Sequence, residues 1–319
     1  MNFNSVSAES GGRLRPLRML RKEHASMKRA KDLVGRFHTE RAEEFLPRIP
    51  DGLVDLVFTS PPYSDQRDYG RSAVSVAPDG YVEWFLPIAR QIYRVLSDEG
   101  SFILNVSDKT IRGQQHLYAF ELLISLVRDI GFRFVRDYIW FNPAVPPNIY
   151  GTGNYGKTKK SHEYCFWLAK SEHWTFNMDA IRKPYSHDME KFLLGRVAGG
   201  RAEHTRPSTH SFDCSSAWKN HGGSDPGSVI VLGNNASNDW FTKECRARGI
   251  RHPARFPEGL AEFFIAAGSN PGDTVLDPFS GSGTTAVVAQ RLERRWIAVD
   301  SNPDYNEIAQ MRVARGSGG

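Results

Sequence analysis

The sequence predicts an α/β protein with a parallel or mostly parallel sheet and helices on both faces. Two observations support this fold class. Short apolar runs typical of strands alternate with segments of helical periodicity, and a polar or glycine-rich loop directly follows two of the apolar runs. Ligands of such sheets bind beyond the carboxyl ends of the strands, so we expect both loops to line one cleft.

The individual elements follow from apolar spacing and from the glycines that end each segment. Large apolar side chains recur at helical spacing from Tyr81 to Leu96, before Gly100, and a second helical segment closes at Gly131. In chain order the predicted elements are a strand at 53–58, a helix at 81–96, a strand at 102–106, a helix at 119–130, and strands at 138–140 and 164–168.

The first loop is Thr59-Ser60-Pro61-Pro62-Tyr63, directly after the apolar run that ends at Phe58. Consecutive prolines fix φ and donate no backbone hydrogen bond, so they hold a loop open and leave carbonyl groups as acceptors. A flat ring bearing an amino group fits such a loop, with Tyr63 stacked on its face and Ser60 accepting a hydrogen. A tight proline turn that caps a core strand is the alternative for the pentapeptide alone.

The second loop follows the apolar run Thr274-Val275-Leu276 and includes Phe279-Ser280-Gly281-Ser282-Gly283. Glycines allow a ligand to approach the backbone, and the N–H groups that open the next helix can bind a polar group. A further strand ends at Asp300, whose carboxylate could bind ribose hydroxyls. The same spacing matches a loose dinucleotide fingerprint, so these residues alone also allow a nicotinamide dehydrogenase.

Together the two loops resemble the DNA amino-methyltransferases that depend on S-adenosylmethionine. That family carries Asp/Asn/Ser-Pro-Pro-Tyr/Phe and Phe-x-Gly-x-Gly, and here the catalytic loop precedes the cofactor loop, as in its circularly permuted beta group. Segments 137–143, 160–167 and 252–260 also resemble the beta group. The resemblance covers about 46–170 and 250–312 and argues strongly against a nicotinamide dehydrogenase. It implies a Rossmann-like methyltransferase sheet.

The resemblance also implies roles for individual residues. The catalytic residues would be Ser60, Pro61, Pro62 and Tyr63. The residues that would bind S-adenosylmethionine are Thr59, Asp277, Phe279, Gly281, Gly283, Thr284, Asp300 and Asn302.

The expected chemistry follows from the target atom. The lone pair of an exocyclic amine is conjugated with the ring, and Ser60 Oγ and the Pro61 carbonyl would favour a pyramidal nitrogen by accepting its hydrogens. The base would flip out of the duplex against Tyr63. Serine is too weak a base to keep the released proton, so we expect solvent to be its final acceptor. In the family, serine at the first position goes mostly with N4 of cytosine, and N6 of adenine is the alternative. A catalytically silent DNA-binding relative is more distant.

The distribution of charge suggests where DNA would bind. The chain has 319 residues and a net charge of +5. Between Arg13 and Arg36 lie nine lysines and arginines against Glu23 and Asp32, which fits a phosphate-binding arm or, equally, a solvated tail. The region 171–248 is poor in periodic apolar residues and holds the place of the family's target-recognition region. The expected DNA-binding residues are Arg67, Arg71, Arg196, Arg201, Arg206 and Lys219.

The expected organisation has four parts: a basic segment at 1–45, a catalytic half at 46–170, a target-recognition region at 171–248 and a cofactor half at 249–315.

Three scattered cysteines and the absence of an apolar run of 18 residues argue against a disulfide framework and a membrane span. His162-Glu163 resembles the start of a zinc-protease motif but lacks its second histidine, so we expect no metal. The expected partner is double-stranded DNA, with a homodimer and a cognate restriction endonuclease as further candidates. The expected location is intracellular and DNA-associated.

Overall fold

The computed structural model describes residues 32–64, 76–145, 158–191, 221–234, 240–250 and 255–316. The strands are β1 Arg36–Thr39, β2 Val54–Thr59, β3 Leu96–Val106, β4 Thr110–Ile111, β5 Gln114–Gln115, β6 Arg133–Phe141, β7 His162–Ala169, β8 Val229–Val231, β9 Thr274–Asp277 and β10 Arg295–Asp300. The helices are α1 Ala42–Phe45, α2 Tyr81–Val95, α3 Tyr118–Ser125, α4 Trp240–Ala247, α5 Glu258–Gly268, α6 Thr284–Arg291 and α7 Pro303–Arg315.

Eight of these strands form one sheet in the order β1-β10-β9-β2-β3-β7-β6-β8. Pairing is parallel from β1 to β3 and between β6 and β8, while β7 runs antiparallel to both of its neighbours. The predicted mostly parallel α/β sheet is therefore confirmed. Short β4 and β5 form a separate hairpin.

Helices cover both faces because side chains along each strand alternate between them. On one face, Val57 of β2 and Leu104 of β3 pack in a cluster with α2 and α3. On the other face, Leu56 and Phe58 of β2 pack with α5 and α6. Both clusters are almost fully buried, so the strands that carry the predicted loops are fixed from two sides.

The predicted elements agree closely with the observed ones. The expected second helix appears as α3, followed by a wider turn at Leu126–Ile130 that ends at Gly131, where φ is +97°. Only glycine adopts this backbone without strain. Among the described residues, no helix is long and apolar enough to cross a membrane.

The N-terminal boundary differs from the expected one. Residues 36–45, which sequence analysis placed in the basic segment, form an edge strand and a short helix of the main domain. Phe37 in β1 contacts Trp296, with 4.9 Å between ring centroids. Asn306 in α7 donates from Nδ2 to the His38 carbonyl at 3.2 Å and to Thr39 Oγ1 at 2.9 Å. Edge pairing with β10 depends on residues far away in the chain, which a four-residue strand does not reveal.

The region expected to recognise the target also contributes to the main domain at its margins. β8 extends the sheet beside β6. Phe241 and Cys245 of α4 pack against Ile308 of α7. Residues 192–220, which include most of the expected base-reading side chains, lie outside the described residues.

Candidate active site

A cleft of about 830 Å³ opens at the carboxyl ends of the central strands. From β2 the chain proceeds through α2 to β3 on one side, whereas from β9 it proceeds through α6 to β10 on the other. The neighbouring strands β2 and β9 therefore mark the point where the connections diverge, and this is where open α/β sheets bind ligands. The cleft is lined by residues of both predicted loops.

The proline loop is tied to α2 and to the segment before it by two hydrogen bonds. Tyr81 donates from its hydroxyl to the Pro62 carbonyl at 3.0 Å. Ser64 Oγ donates to the Val76 carbonyl at 2.7 Å. Because the prolines contribute no N–H groups, these side-chain hydrogen bonds fix the loop instead. The Pro62 carbonyl is thus occupied within the protein, while Ser60 lines the cleft.

Asp277 joins the two loops beneath the cleft. Thr59 Oγ1 donates to its Oδ1 and Thr285 Oγ1 to its Oδ2, both at 2.6 Å, and the Phe279 N–H adds a bond of 3.1 Å. Burial raises the pKa of the Asp277 carboxyl to about 6, although hydrogen bonds from Thr285, Thr59 and Phe279 partly oppose the rise. Thr59 and Asp277 are almost fully buried and do not line the cleft. These positions indicate that Thr59 and Asp277 hold the two loops in place and favour that role rather than direct contact with a cofactor.

The glycine loop is fixed by Asp300. The Gly281 N–H donates to its Oδ2 and the Asn302 N–H to its Oδ1, each at 2.8 Å. Burial raises the pKa of the Asp300 carboxyl, and these two backbone donors oppose the rise. Each carboxylate oxygen keeps further acceptor capacity. Asp300, Gly281 and Asn302 all line the cleft, so they can act on a ligand there.

Gly283 has a packing role that the sequence did not indicate. Its φ is +71°, and a Cβ at this position would lie 2.8 Å from Ala309 Cβ and 3.0 Å from Phe37. The glycine therefore lets α7 and β1 approach the start of α6. It does not line the cleft.

Two residues outside the predicted set line the cleft beside Phe279. Phe279 contacts Trp84, with 5.9 Å between ring centroids, and Trp84 Nε1 donates to Glu43 Oε1 at 3.1 Å. All three line the cleft. Glu43 lies in α1, within the expected basic segment 1–45, so no local pattern could have identified it.

The other side of the cleft contains the carboxylate of Glu163, which the sequence suggested only as part of an incomplete zinc-protease motif. Tyr63 donates from its hydroxyl to Glu163 Oε2, and Ser60 Oγ donates to the Tyr63 hydroxyl at 3.3 Å. Glu163 lines the cleft from β7. Tyr63 is only 5% exposed, so its predicted stacking on a flipped base requires that its ring be uncovered. The useful signal in the sequence was the polar pair at the start of an otherwise apolar strand.

A cation lies on the same side as Glu163. Lys160 Nζ donates to Asp108 Oδ1 and, at 3.0 Å, to Ser107 Oγ. Burial and the nearby Lys160 lower the pKa of His162. Among the described residues, no group of three or more His, Cys, Asp or Glu could hold a metal ion.

The structure thus brings together most of the predicted site. Residues of the predicted set that line the cleft are Ser60, Pro61, Pro62, Tyr63, Phe279, Gly281, Thr284, Asp300 and Asn302. Thr59, Asp277 and Gly283 lie outside its lining. The expected DNA contacts Arg67, Arg71, Arg196, Arg201, Arg206 and Lys219 fall outside the described residues.

Comparison with known proteins agrees with this geometry. The Type II methyltransferase M.PvuII of Proteus hauseri is 35% identical over 276 residues, which cover 84% of this chain and 80% of that protein. The DNA adenine methyltransferase YhdJ of Escherichia coli (strain K12) is 26% identical over 270 residues, 84% and 79% of the two chains. The solved PvuII DNA methyltransferase (cytosine-N4-specific) matches with a TM-score of 0.64 and 25% identity, over 89% of this chain and 97% of that one.

The family model described as DNA methylase, for N6 and N4 methyltransferases, matches residues 54–311. This match spans the proline loop, the glycine loop and every strand of the main sheet except β1. The protein therefore belongs to the N6/N4 DNA methylase family.

Proposed function

We propose that this protein transfers the methyl group of S-adenosylmethionine to the exocyclic N4 of cytosine in double-stranded DNA. One observation carries the proposal: the Ser60–Tyr63 loop and the glycine loop follow neighbouring strands and line the same cleft. Serine at the first position of the catalytic loop and the cytosine-N4-specific relative both support N4. Adenine N6 is the second candidate, since the similarity to the adenine methyltransferase YhdJ extends over most of this chain.

The cofactor side of the cleft fits the methyl donor. Asp300 offers acceptor capacity for ribose hydroxyls, and Phe279 with Trp84 offers aromatic surface for a flat base. Ser280 Oγ is buried with no hydrogen-bond partner among the described residues. A buried hydroxyl is rarely left unpaired, so a polar ligand atom would satisfy it. S-adenosylmethionine supplies an electrophilic methyl group on a positively charged sulfur.

The residues on the other side of the cleft would orient the target amine. Ser60 Oγ would accept one amine hydrogen and the Pro61 carbonyl the other, so that the nitrogen lone pair points at the methyl group. Holding the two reactants in line is the main contribution to rate in such a site. No covalent link to the protein is needed.

DNA would be bound by positively charged residues on two kinds of segment. The basic residues between Arg13 and Arg36 would contact phosphates, whereas side chains of the region 171–248 would read bases. Arginine reads guanine through two hydrogen bonds in the major groove, which supports Arg196, Arg201 and Arg206 as candidates. Arg67, Arg71 and Lys219 are proposed to contact the DNA near the flipped base or its phosphates.

The cellular location of the reaction follows from its DNA substrate. The protein would act inside the cell, wherever its DNA is kept. A cognate restriction endonuclease and a homodimer are proposed as partners; the Type II methyltransferase name of the M.PvuII relative supports the first.

Nucleoside mass spectrometry tests the proposal. Duplex DNA is incubated with the protein and isotope-labelled methyl donor, then digested to nucleosides. Labelled N4-methylcytosine is the expected product, and Ser60→Ala protein serves as the control. Labelled N6-methyladenine alone would transfer the assignment to the second candidate, and label absent from DNA would refute both.

A further inference from the structure

We infer that Glu163 is a positioning and proton-accepting residue of the methyl transfer, acting on Ser60 through the Tyr63 hydroxyl. The inference rests on the proposed function and deepens it. It also gives the released proton an acceptor inside the protein, from which the proton passes to solvent, its expected final acceptor.

The first step is the direction of the hydrogen bonds around Tyr63. An ionised carboxylate only accepts hydrogen bonds, so the Tyr63 hydroxyl must donate to Glu163 Oε2. Asn105 Oδ1 also lies near this hydroxyl, at 3.5 Å. Asn105 Nδ2 donates to the Tyr164 carbonyl at 3.2 Å, which turns the oxygen of the amide toward Tyr63. Two acceptors therefore face the Tyr63 hydroxyl.

The second step is the orientation of the Ser60 hydroxyl, which follows from that of Tyr63. Because the Tyr63 proton is committed to these acceptors, the Tyr63 oxygen presents lone pairs, and Ser60 Oγ donates to it at 3.3 Å. A serine hydroxyl has one proton and two lone pairs. With its proton directed at Tyr63, Ser60 presents lone pairs to the cleft, as an acceptor of an amine hydrogen must. Glu163 thus determines the direction in which the Ser60 hydroxyl donates its proton, and so leaves the Ser60 lone pairs facing the cleft.

The third step is the fate of the proton. As the nitrogen–carbon bond forms, the carbon–sulfur bond breaks, and its electron pair stays on sulfur, which becomes neutral. The methylated nitrogen is then positively charged and loses one proton to Ser60 Oγ. Ser60 passes its own proton to Tyr63, and Tyr63 passes its own to Glu163. The result is a neutral methylated amine and a protonated Glu163 that solvent later deprotonates.

The position of Glu163 suits this role. It lies at the start of β7, lines the cleft and is partly exposed there, so the proton can leave to solvent after transfer. Asn105 is fully buried beside it and fixes the geometry. A carboxylate placed only for stability would not need to end a chain of hydroxyls that begins at the catalytic serine.

The test is a double-mutant cycle on single-turnover methyl transfer to duplex DNA, with enzyme in excess. Glu163→Gln keeps the shape but removes the base, and Tyr63→Phe removes the link. Each should slow transfer by about 100-fold or more, the usual contribution of a proton acceptor. The double variant should be no slower than the slower single variant. Glu163→Asp should recover part of the rate, and Glu172→Gln, at an exposed glutamate bound to Arg133, is the matched control with wild-type rate.

Two further measurements separate this role from a structural one. The dissociation constant of the methyl donor and the fluorescence of a flipped base analogue at the target position should be unchanged in Glu163→Gln. A wild-type rate in Glu163→Gln would overturn the inference, and so would losses that multiply in the double variant. Slower transfer explained by weaker donor binding or lost base flipping would also overturn it. If Glu163→Gln fails to fold, Glu163→Asp in the wild-type and Tyr63→Phe backgrounds provides the same cycle. Absence of N4-methylcytosine with the wild type would instead refute the proposed function.

Discussion

Replacing Asp277 by asparagine should change how the stability of this protein depends on pH. Asp277 is 1% exposed, and burial raises the pKa of its carboxyl from 3.8 to about 6. One pKa unit corresponds to about 1.4 kcal/mol, so the difference corresponds to about 3 kcal/mol. The folded state binds this proton more tightly than the unfolded chain does. The free energy of unfolding contributed by Asp277 therefore falls as the pH rises from about 4 to about 6.

The assay is denaturant unfolding of the wild type and Asp277→Asn at several pH values from about 4 to 8. Groups that titrate in both proteins cancel in the difference between their unfolding free energies, provided that they are not coupled to Asp277. The wild type should lose about 2 kcal/mol relative to the variant between the two ends of this range, because part of the full difference is already lost at pH 4. Hydrogen bonds lost in the variant shift the difference by an amount that does not depend on pH.

A second variant sharpens the test. The Thr285 hydroxyl bond at 2.6 Å stabilises the ionised form of Asp277. Thr285→Val should therefore raise the pKa of Asp277 further and increase the loss of stability with pH. The reasoning would be refuted if the unfolding free energy of the wild type, relative to that of Asp277→Asn, stayed constant or rose with pH.

Two further predictions concern the separate roles of Ser60 and Asp300 in the cleft, and a third concerns the packing around Gly283. Ser60→Ala should reduce single-turnover methyl transfer by about 100-fold or more and leave the dissociation constant of the methyl donor nearly unchanged, as rapid quench and equilibrium binding would measure. Asp300→Ala should weaken donor binding by about 1–3 kcal/mol, and equal effects of Ser60→Ala and Asp300→Ala on binding would contradict this division. Gly283→Ala should lower the unfolding free energy by about 2 kcal/mol or more, since a Cβ would lie 2.8 Å from Ala309 Cβ. Gly272→Ala, also at positive φ but with nothing within 4 Å of the added Cβ, should cost less, and equal costs would refute the packing argument.

Local sequence patterns predicted most of the fold because the main elements are long and strongly patterned. The helix predicted at 81–96 is observed as Tyr81–Val95, and the loop after β2 follows directly from its prolines. The strand β1 was missed because four residues, only partly buried, gain their pairing from β10. Long-range pairing of a short edge segment leaves little local pattern to read.

The candidate site was predicted less completely, for a different physical reason. A motif identifies the residues that contact a ligand but not the residues that hold them. Thr59 and Asp277 are 218 positions apart, yet their hydrogen bond joins the two loops. Glu163 reaches Tyr63 from a strand 100 positions away. Such contacts arise only when the sheet places β2 between β9 and β3, with β7 beyond β3.

The order of the two loops along the chain has little consequence for the cleft itself. β2 and β9 pair in parallel, with Leu56 opposite Val275 and Val57 opposite Leu276, so both loops leave the same edge of the sheet. What the cleft needs is this adjacency, together with a buried group that keeps the loops in register. Asp277 fills that role: it accepts Thr59 from one loop and Phe279 from the other. A chain in which the proline loop precedes the glycine loop can therefore form the same cleft as a chain with the opposite order, provided that a buried acceptor still joins the two loops.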